Sequence, residues 1–151
     1  MRKLFLIFLI TILLNGCGYN SIYTNNKKIN FTISSLEIKG DTDINYILKR
    51  KLEQYTSGGD EKNFEINIST NYSKNPISKD KKGEIKLYRL VANLNLRFKI
   101  EGKVQDISIT ETFQMENYED EFEENKYEKN IKRNLADIML NKVISYLANY
   151  K

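Results

Sequence analysis

Cys17 is the only cysteine in a chain of 151 residues that contains no histidine, and those two facts bound the chemistry on offer. Without an imidazole or a second thiol, Cys-His and Ser-His-Asp nucleophile systems and most transition-metal sites drop out. A lone thiol also has no disulfide partner in its own chain. Its surroundings point to another use. Met1-Arg2-Lys3, an apolar run from Leu4 to Leu14, and then Leu14-Asn15-Gly16-Cys17 have the layout of an export signal that closes on a lipid-acceptor cysteine. The run is too short for a comfortable membrane span, which takes about 20 apolar residues. The covalent group expected is a diacylglyceryl or acyl lipid on Cys17, with no other cofactor. An uncleaved signal anchor, or an ordinary signal peptide followed by an unrelated cysteine, are the alternatives.

Two charged clusters are the other candidates. Glu116, Glu119, Asp120, Glu121, Glu123 and Glu124 contain enough carboxylates for a paired acid and base of the kind glycoside hydrolysis uses. That chemistry needs burial to split the two pKa values, and nothing around the cluster predicts it. The spacing also lacks the glycine and alternating ligands of an EF-hand loop. A solvated loop leading into a helix is expected instead, and the chain is read as no enzyme. Lys74, Lys79, Lys81 and Lys82 surround a polar segment whose cations could meet phosphorylated sugar head groups through charge-assisted hydrogen bonds. A merely soluble loop is the competing reading.

Size and charge narrow the class. Cleavage before Cys17 removes Arg2 and Lys3, which lowers the formal charge from +4 to +2 and leaves 135 residues. That length suits one core rather than two. So mild a balance makes no case for nucleic acid, whose partners carry strongly basic patches. The expected organisation is a signal peptide at 1–16, a lipidated cysteine and tether at 17–28, and a single domain at 29–151.

The elements that must position these residues follow from periodicity. A strand is expected over 29–39, with its apolar phase shifting from Ile29, Phe31 and Ile33 to Leu36 and Ile38 through a bulge near Ser34-Ser35. Gly40 should end it. Asp41, Thr42 and Asp43 are N-cap candidates for a helix carrying Ile44, Ile47, Leu48 and Leu52 at helical spacing, with Tyr55 one turn on. From Phe64 the period becomes two through Tyr72, the mark of a half-buried strand. Residues 73–84, with Pro76 and a lysine run, read as a mobile polar loop. A long strand follows, with Leu90, Ala92, Leu94, Leu96, Phe98 and Ile100 on one side and Asn93, Asn95, Arg97 and Lys99 on the other. Taking Gly102-Lys103 as a two-residue turn pairs Phe98 with Ile107, Leu96 with Ile109, Ala92 with Phe113 and Leu90 with Met115, all apolar. Glu111 then faces Leu94, which that register does not explain. The final helix should run to about Asn149 with an apolar stripe of Tyr127, Ile131, Leu135, Ile138, Met139 and Leu147. The fold class is therefore α+β: a two-layer sandwich, order β-α-β-β-β-α, with a four-stranded mixed sheet covered by two helices on one face. Its other face, with Asn93, Asn95, Arg97 and Lys99 beside Ser108, Thr110, Thr112 and Gln114, is polar and largely without charge pairing. It suits either water or a wet docking surface.

With Cys17-Gly18-Tyr19 after the signal, this element order, and a C-terminal region ITETFQMENYEDEFEENKYEKNIKRNLADIMLNKVISYL, the chain resembles the LPS-assembly lipoprotein family (LptE-like). The resemblance spans the whole mature chain. It implies a lipoprotein subunit of the lipopolysaccharide transport and insertion machinery that supports the assembly of, and plugs, an outer-membrane β-barrel partner. It further implies lipopolysaccharide as a possible ligand, and an outer-membrane lipid anchor with the domain on the periplasmic side. Cys17 carries over as the lipid attachment site. Gly18, which is not Asp, permits transfer to the outer membrane. Two other classes stand beside this one: an envelope lipoprotein scaffold for a different partner such as a peptidoglycan synthase, and a hydrolase using the acidic cluster.

Overall fold

The computed structural model describes residues 31–58 and 62–150. The expected signal peptide, Cys17, the expected tether and the first residues of the expected 29–39 strand lie outside the described residues.

The order is β1 (Thr32–Gly40), α1 (Thr42–Leu52) with a 3-10 turn (Glu53–Tyr55), β2 (Asn63–Lys79), β3 (Ile85–Ile100), β4 (Lys103–Glu116) and α2 (Glu121–Asn149). The sheet runs β1-β2-β3-β4. Its first pair is parallel and the other two antiparallel. A parallel pair needs a crossover, which α1 supplies, whereas hairpins suffice for the rest. This is the expected α+β architecture, with its mixed sheet and the order β-α-β-β-β-α.

The bulge in β1 is present. Ser34 is the extra residue between Ile33, opposite Phe64, and Ser35, opposite Glu65, and its hydroxyl donates to the Phe64 carbonyl at 3.2 Å. The shift lets Phe31 and Ile33 enter the core before it and Leu36 and Ile38 pack against the core after it. Gly40 ends the strand with φ +116°, and a β-carbon there would lie 1.9 Å from the Thr70 carbonyl oxygen. No L side chain fits that approach. Asp41 then caps α1, accepting from the amides of Asp43 and Ile44. Ile44, Ile47, Leu48 and Leu52 are buried as their spacing predicts.

The core lies between the helices and the inner face of the sheet, where Phe64, Ile66 and Ile68 of β2 meet Leu90 to Ile100 of β3 at alternate positions. Each fully buried side chain of this size contributes about 1.5–3 kcal/mol. At one end an aromatic cluster joins Phe31, Tyr55, Phe64, Phe98, Tyr146 and Tyr150 through stacked and edge-to-face contacts.

Three expectations need correction. The β3–β4 turn is Glu101-Gly102, since Ile100 pairs with Lys103. Both turn residues have positive φ, +50° and +80°, which is the requirement of a type I′ turn. Facing pairs are therefore Leu96 with Ile107, Leu94 with Ile109, Leu90 with Phe113 and Tyr88 with Met115. The face of every residue is unchanged, but the strand slides. Glu111 now faces Ala92, a small neighbour, and reaches Lys142 of α2.

Residues 73–79, expected within a mobile loop, are instead the arm of the β2–β3 hairpin that pairs with the start of the expected long strand, 85–91. Pro76 is accommodated because β1 pairs with β2 only as far as Thr70 and because the ladder is irregular between Pro76 and Ser78. A free edge and a bulge are the places where proline costs little. Finally, Tyr127 and Ile138 were assigned to the apolar stripe of α2 but are 38% and 44% exposed. Val143, expected beside the stripe, is buried, while Tyr146, expected there too, is 42% exposed; Ala136 and Leu140 are buried although the stripe did not include them.

Candidate functional site

The four candidate lysines separate. Lys74 lies on β2 opposite Leu90, and its ammonium is held 2.6 Å from Glu124 and 2.9 Å from Glu128 of α2. It also lies over the Tyr88 ring, 4.4 Å from the centroid. This cation is neutralised and mostly covered, so it is not free to meet a phosphate. Lys79 ends β2, while Lys81 and Lys82 sit in the turn that follows. All three are exposed, and Asp80 shapes that turn by accepting from the amides of Lys82 and Glu84. The hairpin end thus presents Lys79, Lys81 and Lys82 outward.

The contact around Lys74 extends into a chain of charge and aromatic contacts. Tyr72 donates its hydroxyl to Glu128 at 2.8 Å and lies under the ammonium of Lys132, 4.2 Å from the ring centroid. Lys132 in turn pairs with Asp41 at 3.1 Å and Asp43 at 3.3 Å. This side-chain clasp joins the protruding hairpin to the first turns of both helices. Burial pushes the Glu124 carboxyl up, but the hydrogen bonds from Lys74 and the Tyr118 amide, with the Lys74 charge, outweigh it and hold the group below the usual carboxylate range. Burial likewise pushes Lys74 and Lys132 down, and their acidic partners outweigh it and raise both. Tyr72 is raised by burial first and by Glu128 second.

The acidic stretch resolves into separate tasks. Asp120 caps α2, accepting from the amides of Phe122 and Glu123. Glu123 pairs with Lys126, and Glu124 belongs to the clasp. Its 9% exposure is the burial that the local sequence does not announce. One signal was available: Glu124 and Glu128 stand four apart on a helix, a like-charge arrangement that is unfavourable by itself and calls for a cation from elsewhere. Tyr72, Tyr88, Glu128 and Lys132, which sequence reasoning missed as partners, come together only through the fold.

The outer face of the sheet is more fully paired than expected. Arg97 and Asp106 face each other with a 2.8 Å contact, and Lys99 lies 3.5 Å from Glu65. Between this charged end and the hairpin lies a neutral ladder. Ser108 donates to the Asn95 side chain at 2.8 Å and Thr110 to Asn93 at 2.7 Å, with Ser69 and Asn71 of β2 opposite the same two asparagines. These amides and hydroxyls form a wide polar surface that can exchange hydrogen bonds with water or a hydrated wall without desolvating a bare charge. Among the described residues, no helix is long and apolar enough to cross a membrane.

No family model and no curated protein matches the sequence. Among solved structures, the rare lipoprotein B from Shewanella oneidensis is similar with a TM-score of 0.56 at 13% identity, covering 76% of this chain and 97% of that one. A minor lipoprotein from Acinetobacter baumannii is more loosely similar, with a TM-score of 0.48 at 13% identity, covering 80% of this chain and 94% of that one. An uncharacterized lipoprotein B from Nitrosomonas europaea has a TM-score of 0.48 at 16% identity, covering 80% and 89%. At such identities the likeness is one of fold: the domain has the two-layer α+β fold of the Shewanella lipoprotein. These structural neighbours are bacterial lipoproteins.

Proposed function

We propose that this chain is a non-catalytic envelope lipoprotein of the lipopolysaccharide transport and insertion machinery. A lipid on Cys17 anchors it to the outer membrane with the domain on the periplasmic side, where it supports the assembly of, and plugs, a β-barrel partner. The observation that carries the reading is the outer sheet face, where a neutral ladder of amides and hydroxyls is flanked on one side by the paired charges Arg97–Asp106 and Lys99–Glu65. Such a face suits the hydrated interior of a barrel because it offers many hydrogen bonds at little desolvation cost. The fold shared with a protein named as a lipoprotein and the signal ending at Cys17 support the anchor. Two or more acyl chains, at about 0.8 kcal/mol per buried CH₂, hold a protein stably where one does not. Within this reading, contact with the phosphates of lipopolysaccharide falls to Lys79, Lys81 and Lys82.

Depletion of the protein, followed by measurement of surface lipopolysaccharide and of the mature barrel partner, tests the role. Both should fall, and normal levels of both would sink the reading. Co-purification with a peptidoglycan synthase in place of a barrel would favour the scaffold alternative. Replacing Cys17 by Ala should release the domain from the membrane fraction, and retention there would indicate an uncleaved anchor.

A further inference from the structure

We propose that the free edge of β4, together with the apolar groove that α2 leaves beside it, takes an extended strand of a partner protein through main-chain pairing. Among the described residues β4 ends the sheet with β3 as its one neighbour, so along its other side no described strand pairs with its amides and carbonyls. The two edges of this sheet differ. β1 is nine residues long, bulged at Ser34 and carries the charged pair Glu37 and Lys39, all devices that discourage pairing. β4 is 14 residues long and runs without a register break. From Ile107 to Gln114 its one charged residue is Glu111, which Lys142 neutralises.

The groove supplies the second observation. α2 crosses the inner face of β4 without closing over it. Phe113, Tyr127 and Ile138 stay 39%, 38% and 44% exposed around a hollow of about 410 Å³ that Ile131 and Leu135 also line. Along α2 the positions turned to this side, Tyr127, Asn130, Asn134 and Ile138, carry no charge in a helix otherwise dense with it. Loss of charge with retention of aromatic and aliphatic groups marks the core of an interface. The backbone edge decides the kind of occupant, because an extended chain matches a row of strand amides and carbonyls along its length. Alternate side chains of that strand enter the groove and are apolar. The intervening ones lie beside Ser108, Thr110 and Thr112 on the outer face and are polar.

The test places p-benzoylphenylalanine singly at Ser108, Thr110 and Thr112 of the full chain in cells that make it, and maps the photo-adducts. One partner should be captured at positions that step by two residues from site to site. The double substitution Phe113→Lys and Ile138→Glu, at positions 39% and 44% exposed, should lower adduct yield about tenfold or more, as for the loss of an interface anchor, in a protein whose circular dichroism shows it still folded. Adducts to residues 17–30 of the same chain, adducts to a second copy, adducts without the two-residue step, or none at all would each overturn the proposal. The two readings fail separately. Stepped adducts to a protein that is not an outer-membrane barrel keep the edge and remove the barrel, whereas a depletion phenotype without stepped adducts does the reverse.

Discussion

Replacing Lys74 by Met keeps the length and apolar stem of the side chain and removes its charge. In the folded protein the ammonium lies 2.6 Å from Glu124 and 2.9 Å from Glu128, so its loss leaves two carboxylates facing each other with their shared cation gone. Breaking a fully buried pair in this way costs about 3–5 kcal/mol. Here the side chains of Lys74, Glu124 and Glu128 keep 23%, 11% and 16% of their exposure, and solvent screening reduces the expected loss to about 2–3 kcal/mol. For a domain of this size that corresponds to a fall in Tm of about 6–12 °C. Urea denaturation of the Cys17→Ala chain, with and without Lys74→Met, measures it directly.

The pH dependence supplies a second reading of the same contact. Against burial, the folded-state pKa of Glu124 is lowered by its hydrogen bonds with Lys74 and the Tyr118 amide and by the Lys74 charge, so its contribution is present above the ordinary carboxylate range and is lost on acidification through the folded-state value. The gap between the two proteins should therefore be full at pH 7 and shrink on acidification. Lys74 itself is raised, so its contribution is present below its ordinary range and lost only in strong alkali. A Lys74→Met protein within about 0.5 kcal/mol of the parent at pH 7, or a gap indifferent to acid, would refute the clasp. Joint replacement of Lys79, Lys81 and Lys82 by Ser should leave urea stability unchanged while weakening binding to lipopolysaccharide.

Two further substitutions test the backbone. Gly40→Ala forces a β-carbon to within 1.9 Å of the Thr70 carbonyl at φ +116°. It should lower stability by about 3 kcal/mol or more, read as Tm, because both strain and a main-chain clash must be relieved. Glu101→Asn should raise stability by about 0.5–1 kcal/mol in the same assay, since Glu101 holds φ +50° in the turn and Asn-Gly is the favoured type I′ pair. A loss of stability would contradict the turn and with it the observed β3–β4 register.

Local periodicity was enough for the identity and order of the elements, because each helix or strand must present its apolar side chains to one face at its own repeat. The bulge at Ser34, the end of β1 at Gly40 and the buried positions of α1 were legible for that reason. So was the facing of every β3 and β4 side chain, since the alternation of a strand sets face and not register. Register depended on whether Gly102 took the first or the second place in a two-residue turn. That choice belongs to the twist the hairpin must match, and it moved Glu111 from Leu94 to Ala92. Pro76 and the lysines around it looked like a loop because the segment's residue types obscure a pairing with β3 that only the assembled sheet reveals. Lys74 is the clearest division. Its chemistry as a cation is written in the chain, but its partners Glu124 and Glu128 lie some 50 residues away on a helix, and long-range packing alone converts a candidate ligand contact into a clasp. Cys17 stands at the other limit. The lipid role expected for it rests on the sixteen residues before it and asks nothing of the tertiary structure, because an export signal is read as a linear segment.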